Sequence, residues 1–247
     1  MHIVAHRGFS GRYPEMSPIA YEKALQLPIH GVECDVRLTK DGHVVCTHDR
    51  TMLRVAGVRA VVSTSTLAQL KRLNIGDEYA VGAAAFQRIL TLDELLEMVF
   101  ATDDKHIYIE AKHPTRMGRM LEEQVALCLK YHGLACSDRV HFISFSHAAV
   151  RRINALVPAI ETFYLRREWE AKVNPADLHF SHPNNFGISL KRAKLDTWIL
   201  DRDAQVYAPY MWTVNEPDDM LWADSHDVGV MATDYPDLAV EVLGRAG

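Results

Sequence analysis

Short β-rich runs alternate with helical stretches from one end of the chain to the other. Strand-like runs occupy residues 3–6, 31–36, 107–112, 140–145, 160–165, 186–190, 206–214 and 228–232. Helical stretches follow them at 18–27, 92–100, 116–131, 147–156, 169–178 (weakly patterned), 191–203, 217–225 and 236–243. Eight such units in 247 residues predict an α/β fold, a closed (β/α)8 TIM barrel. An open doubly wound sheet fits the alternation less well. The count is eight, and no early GxGxxG follows a strand. The second unit is irregular. A turn signal, Thr39-Lys40-Asp41-Gly42, leads into a further β-rich run over 43–48. Residues 50–90 then form a small insertion, with a helix expected at 66–73 and a small-residue stretch at 82–85. The insertion is too short to be an independent unit, so 1–247 reads as a single domain.

Period-two alternation tells which side chains share a face. Along 31–36, Val32, Cys34 and Val36 face the helices, and Glu33 and Asp35 face the barrel axis. Along 107–112, Tyr108, Glu110 and Lys112 share the other inward face. If these strands are neighbours, three carboxylates converge, and they need a cation, a shared proton or basic partners. Oxygen donors of this kind suit Mg2+ or Ca2+ rather than zinc. The competing readings are solvated carboxylates at a strand end and a structural Glu110–Lys112 ion pair. His6-Arg7-Gly8 closes the first strand, and Thr47-His48-Asp49 closes the extra β-rich run. Barrel enzymes keep their chemistry at such C-terminal strand ends. His6 and His48 can exchange protons near neutral pH, and Arg7 offers a planar fork for phosphate oxygens. Each alone can be structural. Together they point to an anionic substrate and to phosphodiester cleavage between an imidazole base and an imidazole acid.

Composition narrows the class without choosing within it. The formal net charge is -5, which offers no basic field for nucleic acid. No apolar run approaches the roughly 20 residues of a membrane span, so no stable membrane insertion is expected. No charged leader precedes an apolar stretch, and the simplest location is cytoplasmic. Cys34, Cys46, Cys128 and Cys136 form no CxxC pair and read as small hydrophobes, not disulfides or zinc ligands. Nothing in the pattern speaks for or against homo-oligomers.

The ordered motifs resemble those of the glycerophosphodiester phosphodiesterases. They are His6-Arg7-Gly8 with Pro14-Glu15-Met16-Ser17, then Glu33-Cys34-Asp35-Val36, Thr39-Lys40-Asp41-Gly42 and His48-Asp49. Ile109-Glu110-Ala111-Lys112, Trp212-Thr213-Val214-Asn215 and Thr233-Asp234-Tyr235-Pro236 complete the series. The resemblance implies a small-molecule phosphodiester substrate, hydrolysed to glycerol 3-phosphate and an alcohol. It implies Glu33, Asp35 and Glu110 as ligands of a divalent metal, Mg2+ or Ca2+, and His6 and His48 as the catalytic pair. Arg7 and Lys112 would bind phosphate, and Trp212 would line the substrate pocket. Phe145 and Tyr210 could extend its apolar wall, and Glu15 belongs to the first loop without an assigned role. Met16 and Ser17 stand where the family usually has Asn and Thr. Ser17 still reads as a helix N-cap before Pro18. Met16 is expected to loosen the loop or to offer substrate an apolar contact. The alternatives are a lysophospholipase D or phospholipase C-like activity on lipids, a metal-dependent sugar isomerase or aldolase-type barrel, and a non-catalytic binding barrel.

Overall fold

In a computed structural model of the chain, residues 1–76, 86–167, 175–203 and 208–244 are described. Nine strands lie in one sheet: β1 (His2–Ala5), β2 (Gly31–Leu38), β3 (Val44–Cys46), β4 (His106–Ala111), β5 (Val140–Ser144), β6 (Glu161–Arg166), β7 (Asn185–Ser189), β8 (Tyr210–Trp212) and β9 (Val230–Thr233). Eight pair in parallel around a ring, from β1 through β2 and β4 to β9, and β9 returns to β1. This is the predicted closed barrel with one added strand.

The added strand explains the irregular second unit. β3 pairs antiparallel with the last residues of β2, Val36 opposite Cys46. Val36 also pairs with Ala111 of β4, so β3 occupies the opposite edge of β2. The first residues of β2 use that edge for β1, with Val4 opposite Gly31. β3 therefore takes over the edge where β1 ends, and its C-terminal end is carried to the top of the first strand.

Helices wrap the ring: α1 (Pro18–Leu25), α2 (Leu53–Ala56), α3 (Leu67–Leu70), α4 (Leu92–Phe100), α5 (Met120–Tyr131), α6 (His147–Leu156), α7 (Leu190–Leu195), α8 (Trp198–Asp203), α9 (Pro217–Ser225) and α10 (Pro236–Val242). Ser17 caps α1 by accepting from the Ala20 N–H at 3.2 Å, as expected. Two helix boundaries differ from the pattern. The helix expected from 116 begins at Met120, because Gly118 takes a φ of 58° and breaks the turn before it. The single helix expected over 191–203 is divided at Asp196, which leaves the helical region with ψ 63°. The weak helix at 169–178 falls partly on residues outside those described, and Pro175–Phe180 forms a 3-10 turn. The stretch 82–85 and positions 206–207 also lie outside the described residues.

The outer core sits between strands and helices and takes the residues that alternation placed there, Val32, Cys34 and Val36 among them. The inner core is a smaller plug of Val4, Tyr108, Ile143, Phe163, Leu165, Tyr210, Val230 and Ala232. The insertion builds a satellite cluster of Met52, Val62, Leu70 and Ile75 that leans on Val45 of β3 and on Ile89. Within it, α2 was not anticipated, and the expected helix is shortened to α3, held by a Thr66–Gln69 capping box. Cys34 and Cys46 are buried, and all four cysteines are free thiols.

Gly31 marks the closest approach of β2 to β4. A Cβ there would lie 2.2 Å from the His106 carbonyl oxygen, a backbone atom that cannot swing aside. Gly31→Ala is therefore expected to destabilise the barrel by about 1–3 kcal/mol or more. Urea or thermal denaturation measures it, and an unchanged midpoint would contradict the packing described.

Candidate active site

The parallel register decides where the acidic side chains meet. Asp35 of β2 stands opposite Glu110 of β4. Ligand oxygens of Glu33, Asp35 and Glu110 all lie within 4.8 Å of one another, and all three residues are buried. The convergence expected from alternation is present, so solvated strand-end carboxylates are excluded.

β1 continues its pairing through the His6 N–H, 2.9 Å from the Thr233 carbonyl, and then turns sharply. Arg7 and Gly8 both take left-handed backbone conformations, φ 59° and 76°. Glycine is required at the second, where a Cβ would meet the Ala20 backbone at 2.9 Å. The turn aims the Arg7 N–H at Glu33 Oε2, 3.0 Å away. It also brings Arg7 Nε to 2.9 Å from Asp35 Oδ2. Lys112, just past β4, bridges Asp35 Oδ1 at 2.8 Å and Glu110 Oε1 at 2.7 Å. Both Asp35 oxygens are close to cations, yet neither accepts a well-oriented hydrogen bond.

The charges sort accordingly. Burial pushes the Glu33 carboxyl well above the usual range, and the Asp35 charge adds to the shift. Burial raises Glu110 to about 7, against the pull of Lys112. Asp35 feels the same desolvation, but Lys112 and Arg7 outweigh it and hold its carboxyl below the ordinary value. Burial works against the charge on Lys112, but Asp35 and Glu110 overcome it and raise its pKa. One carboxylate is thus firmly ionised between two that resist ionisation.

Two imidazoles flank this group, each anchored in the same way. His6 Nδ1 lies 2.7 Å from Asp234 Oδ1, and His48 Nδ1 lies 2.8 Å from Asp49 Oδ1. A carboxylate on Nδ1 favours the tautomer with a proton there, leaving Nε2 for the pocket. His6 Nε2 is 4.0 Å from Glu33 Oε2. Asp234 is itself held by Asn215 Nδ2 at 2.8 Å and donates its own N–H to Asn215 Oδ1 at 2.9 Å. Burial opposes its charge, but the His6 bond and charge prevail and lower its pKa to about 2. For His48, burial is the first cause and lowers its pKa, with Lys112 and Arg7 adding to the shift.

Glu15 acquires a partner that the residue pattern did not suggest. It accepts from Arg54 at 2.7 and 2.8 Å and from Arg7 at 3.3 Å. Arg54 Nε also reaches Asp49 Oδ2 at 2.7 Å. One arginine on α2 therefore ties the first loop to the residue that anchors His48. Arg54, Asp234 and Asn215 were not singled out from the residues. The last two lay inside quoted motifs, but Arg54 carried no motif signal.

A pocket of about 140 Å3 opens over these groups, lined by His6, Arg7, Glu33, His48, Glu110, Lys112 and Trp212, with Phe145 and Tyr210 in its wall. Phe145 meets Trp212 edge-to-face at 5.3 Å between ring centroids. Met16 departs from expectation. Its side chain is 2% exposed and packs in the outer core, so it neither loosens the loop nor reaches the pocket. Its φ of 54° explains why an asparagine, which tolerates left-handed backbone, is usual there.

The Glycerophosphoryl diester phosphodiesterase family model matches residues 6–238. The chain belongs to that family. The probable glycerophosphodiester phosphodiesterase 1 of Mycobacterium tuberculosis is 37% identical over 248 residues, covering 95% of this chain and 89% of its own. The glycerophosphodiester phosphodiesterase of Bacillus altitudinis is 31% identical, with 97% of each chain covered. Among solved structures, the Oleispira antarctica phosphodiesterase in complex with the product sn-glycerol-3-phosphate has a TM-score of 0.88 at 24% identity, covering 99% of this chain and 97% of that one. A structure described as a putative glycerophosphoryl diester phosphodiesterase from Silicibacter pomeroyi has a TM-score of 0.86 at 20% identity, covering 99% of this chain and 93% of that one. At these identities the structural likeness concerns the fold. The enzyme class of the family, a phosphoric diester hydrolase, is the class of this chain.

In this family member, Met16→Asn is expected to lower stability although it restores the common residue. Relief of left-handed strain is worth up to about 1–2 kcal/mol. Losing a buried Met side chain costs about 1.5–3 kcal/mol, and the asparagine amide is then buried without its water. A chemical denaturation midpoint reads the net loss, and an unchanged substrate preference checks that position 16 stays out of the pocket.

Proposed function

We propose that the enzyme hydrolyses glycerophosphodiesters to glycerol 3-phosphate and an alcohol, with a divalent cation held by Glu33, Asp35 and Glu110 and with His6 and His48 as the acid/base pair. The carrying observation is the convergence of three buried carboxylates between two imidazoles that are each anchored through Nδ1. The product bound to the Oleispira antarctica neighbour supports glycerol 3-phosphate as a product here.

The donor set fits a hard cation. All three ligands are carboxylates, and the two Asp35 oxygens are buried without a well-oriented donor. Mg2+ or Ca2+ bound there would supply Lewis-acid polarisation of a phosphate oxygen or a glycerol hydroxyl. Lys112, which bridges Asp35 and Glu110, also lines the pocket and would offer its ammonium to a phosphate oxygen. Arg7, held at the first turn by Asp35 and Glu15, faces the same charge. Together they balance the charge that develops on the phosphoryl oxygens. One imidazole accepts the proton of the attacking hydroxyl or water, and the other gives a proton to the leaving alkoxide. Asp234 and Asp49 keep both rings in the required tautomer. Trp212 and Phe145 form an apolar wall against the glycerol carbons.

Beside this pocket, a shallow groove carries Arg37, Arg50 and Arg116 next to Lys112. Such a rim suits a polar or anionic head group better than an acyl chain, so the lipid-directed alternative is less favoured. The deciding assay is coupled release of glycerol 3-phosphate from a panel of glycerophosphodiesters and one lysophospholipid, with Mg2+, Ca2+ or chelator present. Release from soluble diesters that stops with chelator supports the reading; activity indifferent to chelator overturns the metal assignment.

His6→Ala or His48→Ala is expected to lower kcat by about 10²–10⁴-fold each while leaving cation binding intact. Near-normal turnover in either variant would remove that imidazole from the mechanism. Cation binding is expected to compete with protons, because burial raises the pKa of Glu33 and of Glu110, the latter to about 7. Apparent affinity for Mg2+ should therefore rise between pH 6 and 8, by about tenfold per pH unit for each proton displaced. Calorimetry in buffers of different ionisation enthalpy counts the protons, and none released would refute the competition.

A further inference from the structure

The end of the barrel opposite the carboxylates holds a second convergence of side chains. His2 opens β1, His30 precedes β2, His106 opens β4, and His141 lies one residue into β5. Among the described residues, His30, His106 and His141 offer ring nitrogens within 4.8 Å of one another. They line a cavity of about 440 Å3 together with His2, Tyr108 and Glu161. His106 and Glu110 sit four residues apart on one strand, a separation of roughly 13 Å, and the aromatic plug lies between. This cluster is thus distinct from the proposed catalytic centre.

We propose that these histidines form a binding site for a transition-metal ion of the Zn2+ class. Imidazole nitrogens select Zn2+, Co2+, Ni2+ or Cu2+, and offer little to Mg2+ or Ca2+. His141 already has the environment of a ligating histidine. Its Nδ1 lies 2.6 Å from Glu161 Oε2, and the other Glu161 oxygen accepts from Asn185 Nδ2 at 2.5 Å. A carboxylate in that position fixes the tautomer and raises the basicity of Nε2. That nitrogen lies 2.9 Å from His106 Nδ1, so a single proton occupies the space between two lone pairs. A metal ion takes the place of that proton. Two nitrogens on one tetrahedral Zn2+ stand about 3.3 Å apart, so the rings must part by a few tenths of an ångström and turn until their lone pairs converge. His30 stacks on His106 at 3.8 Å and on His2 at 3.9 Å, and it already offers a ring nitrogen within 4.8 Å of the other two. Burial and the neighbouring His106 lower the His30 pKa to about 2, and burial and His141 lower that of His106 to about 4. Both rings thus present neutral lone pairs. Occupied, the site ties together the N-terminal ends of β2, β4 and β5 without touching the opposite mouth.

The test uses the full-length, chelator-stripped protein with excess Mg2+ to occupy the mouth, titrated with Co2+ and then Zn2+. The expected result is one Co2+ per chain with the intense visible bands of tetrahedral coordination, displaced by Zn2+. A raised Tm and unchanged diester turnover should accompany it. His141→Gln should abolish the bands, and Glu161→Gln should weaken binding about 10–100-fold. If His141→Gln does not fold, His30→Gln, outside the strands, reads the same loss. His48→Ala should keep the bands while losing turnover, which separates failure here from failure of the catalytic reading. A weak octahedral spectrum, or equal binding by the parent and His30→Gln, would overturn the proposal and leave the rings as packing and hydrogen-bonding groups.

Discussion

Three acidic side chains buried at one end of a parallel barrel set the terms for the structure around them. Glu33, Asp35 and Glu110 lie on adjacent strands whose register leaves them no freedom to separate. Like charges in a desolvated site are tolerated only when some stay protonated or cations stand among them. Both answers are present. Burial raises the pKa of Glu33 and Glu110 and so favours their protonated forms, and Lys112 and Arg7 stand against Asp35. The Arg7 charge is balanced in turn by Glu15, and Glu15 by Arg54, so alternating charge runs outward from the barrel axis to α2. Buried ion pairs of this kind contribute little net stability. Their value lies in holding three carboxyl groups together in a desolvated cavity without collapse. The stability of the chain has to come from the apolar layer between strands and helices.

The same constraint gives the appended strand a purpose. A barrel strand delivers the residue after its C-terminal end to the mouth, and among the described residues β1 alone of the eight ring strands is followed directly by a histidine. β3 adds a second delivery point on the free edge of β2, and the Thr47 N–H bonds to the Asp35 carbonyl at 2.8 Å. His48 then follows at the rim, across the pocket from His6. The two imidazoles reach matching environments from unrelated parts of the chain. Asp49 is the next residue in sequence to its partner, whereas Asp234 lies 228 residues from His6 and arrives only because β9 closes on β1.

That difference explains what could be read from residues alone. Period-two alternation depends on nearest neighbours in the chain, so it correctly placed Glu33 and Asp35 inward and Val32, Cys34 and Val36 outward. The convergence with Glu110 required one further assumption, that the two strands are adjacent. The anchors of the histidines and of Glu15 were harder. Asp234, Asn215 and Arg54 act through contacts that form only on barrel closure or insertion packing, and no local periodicity encodes them. Met16 misled for a different reason. Its side-chain chemistry suggested a pocket contact, but the controlling variable was a backbone dihedral. The 50–90 segment showed only one helix because four-residue elements fall below the length at which a hydrophobic period becomes visible.

A closed barrel also imposes a symmetry that function need not share. Inward positions form layers, and each strand contributes to both ends of the interior. Here the middle layers are filled by Tyr108, Phe163 and Tyr210, which close the core and leave polar groups at both ends. At the mouth, the inward layer is acidic and held in tension by cations. At the floor, it is imidazole-rich, with its rings stacked and His106 hydrogen-bonded to His141. Apolar residues would fill a floor layer with no hydrogen-bonding demand and at less desolvation cost. A chain that instead places four histidines around one cavity, and backs one of them with a buttressed carboxylate, retains polarity where packing alone does not call for it. Tyr108 touches both ends of this arrangement: its ring stacks on His141 at 4.2 Å, and its strand carries Glu110 two residues on. The plug therefore keeps the two polar ends apart along β4, and each layer keeps its own hydrogen-bonding partners.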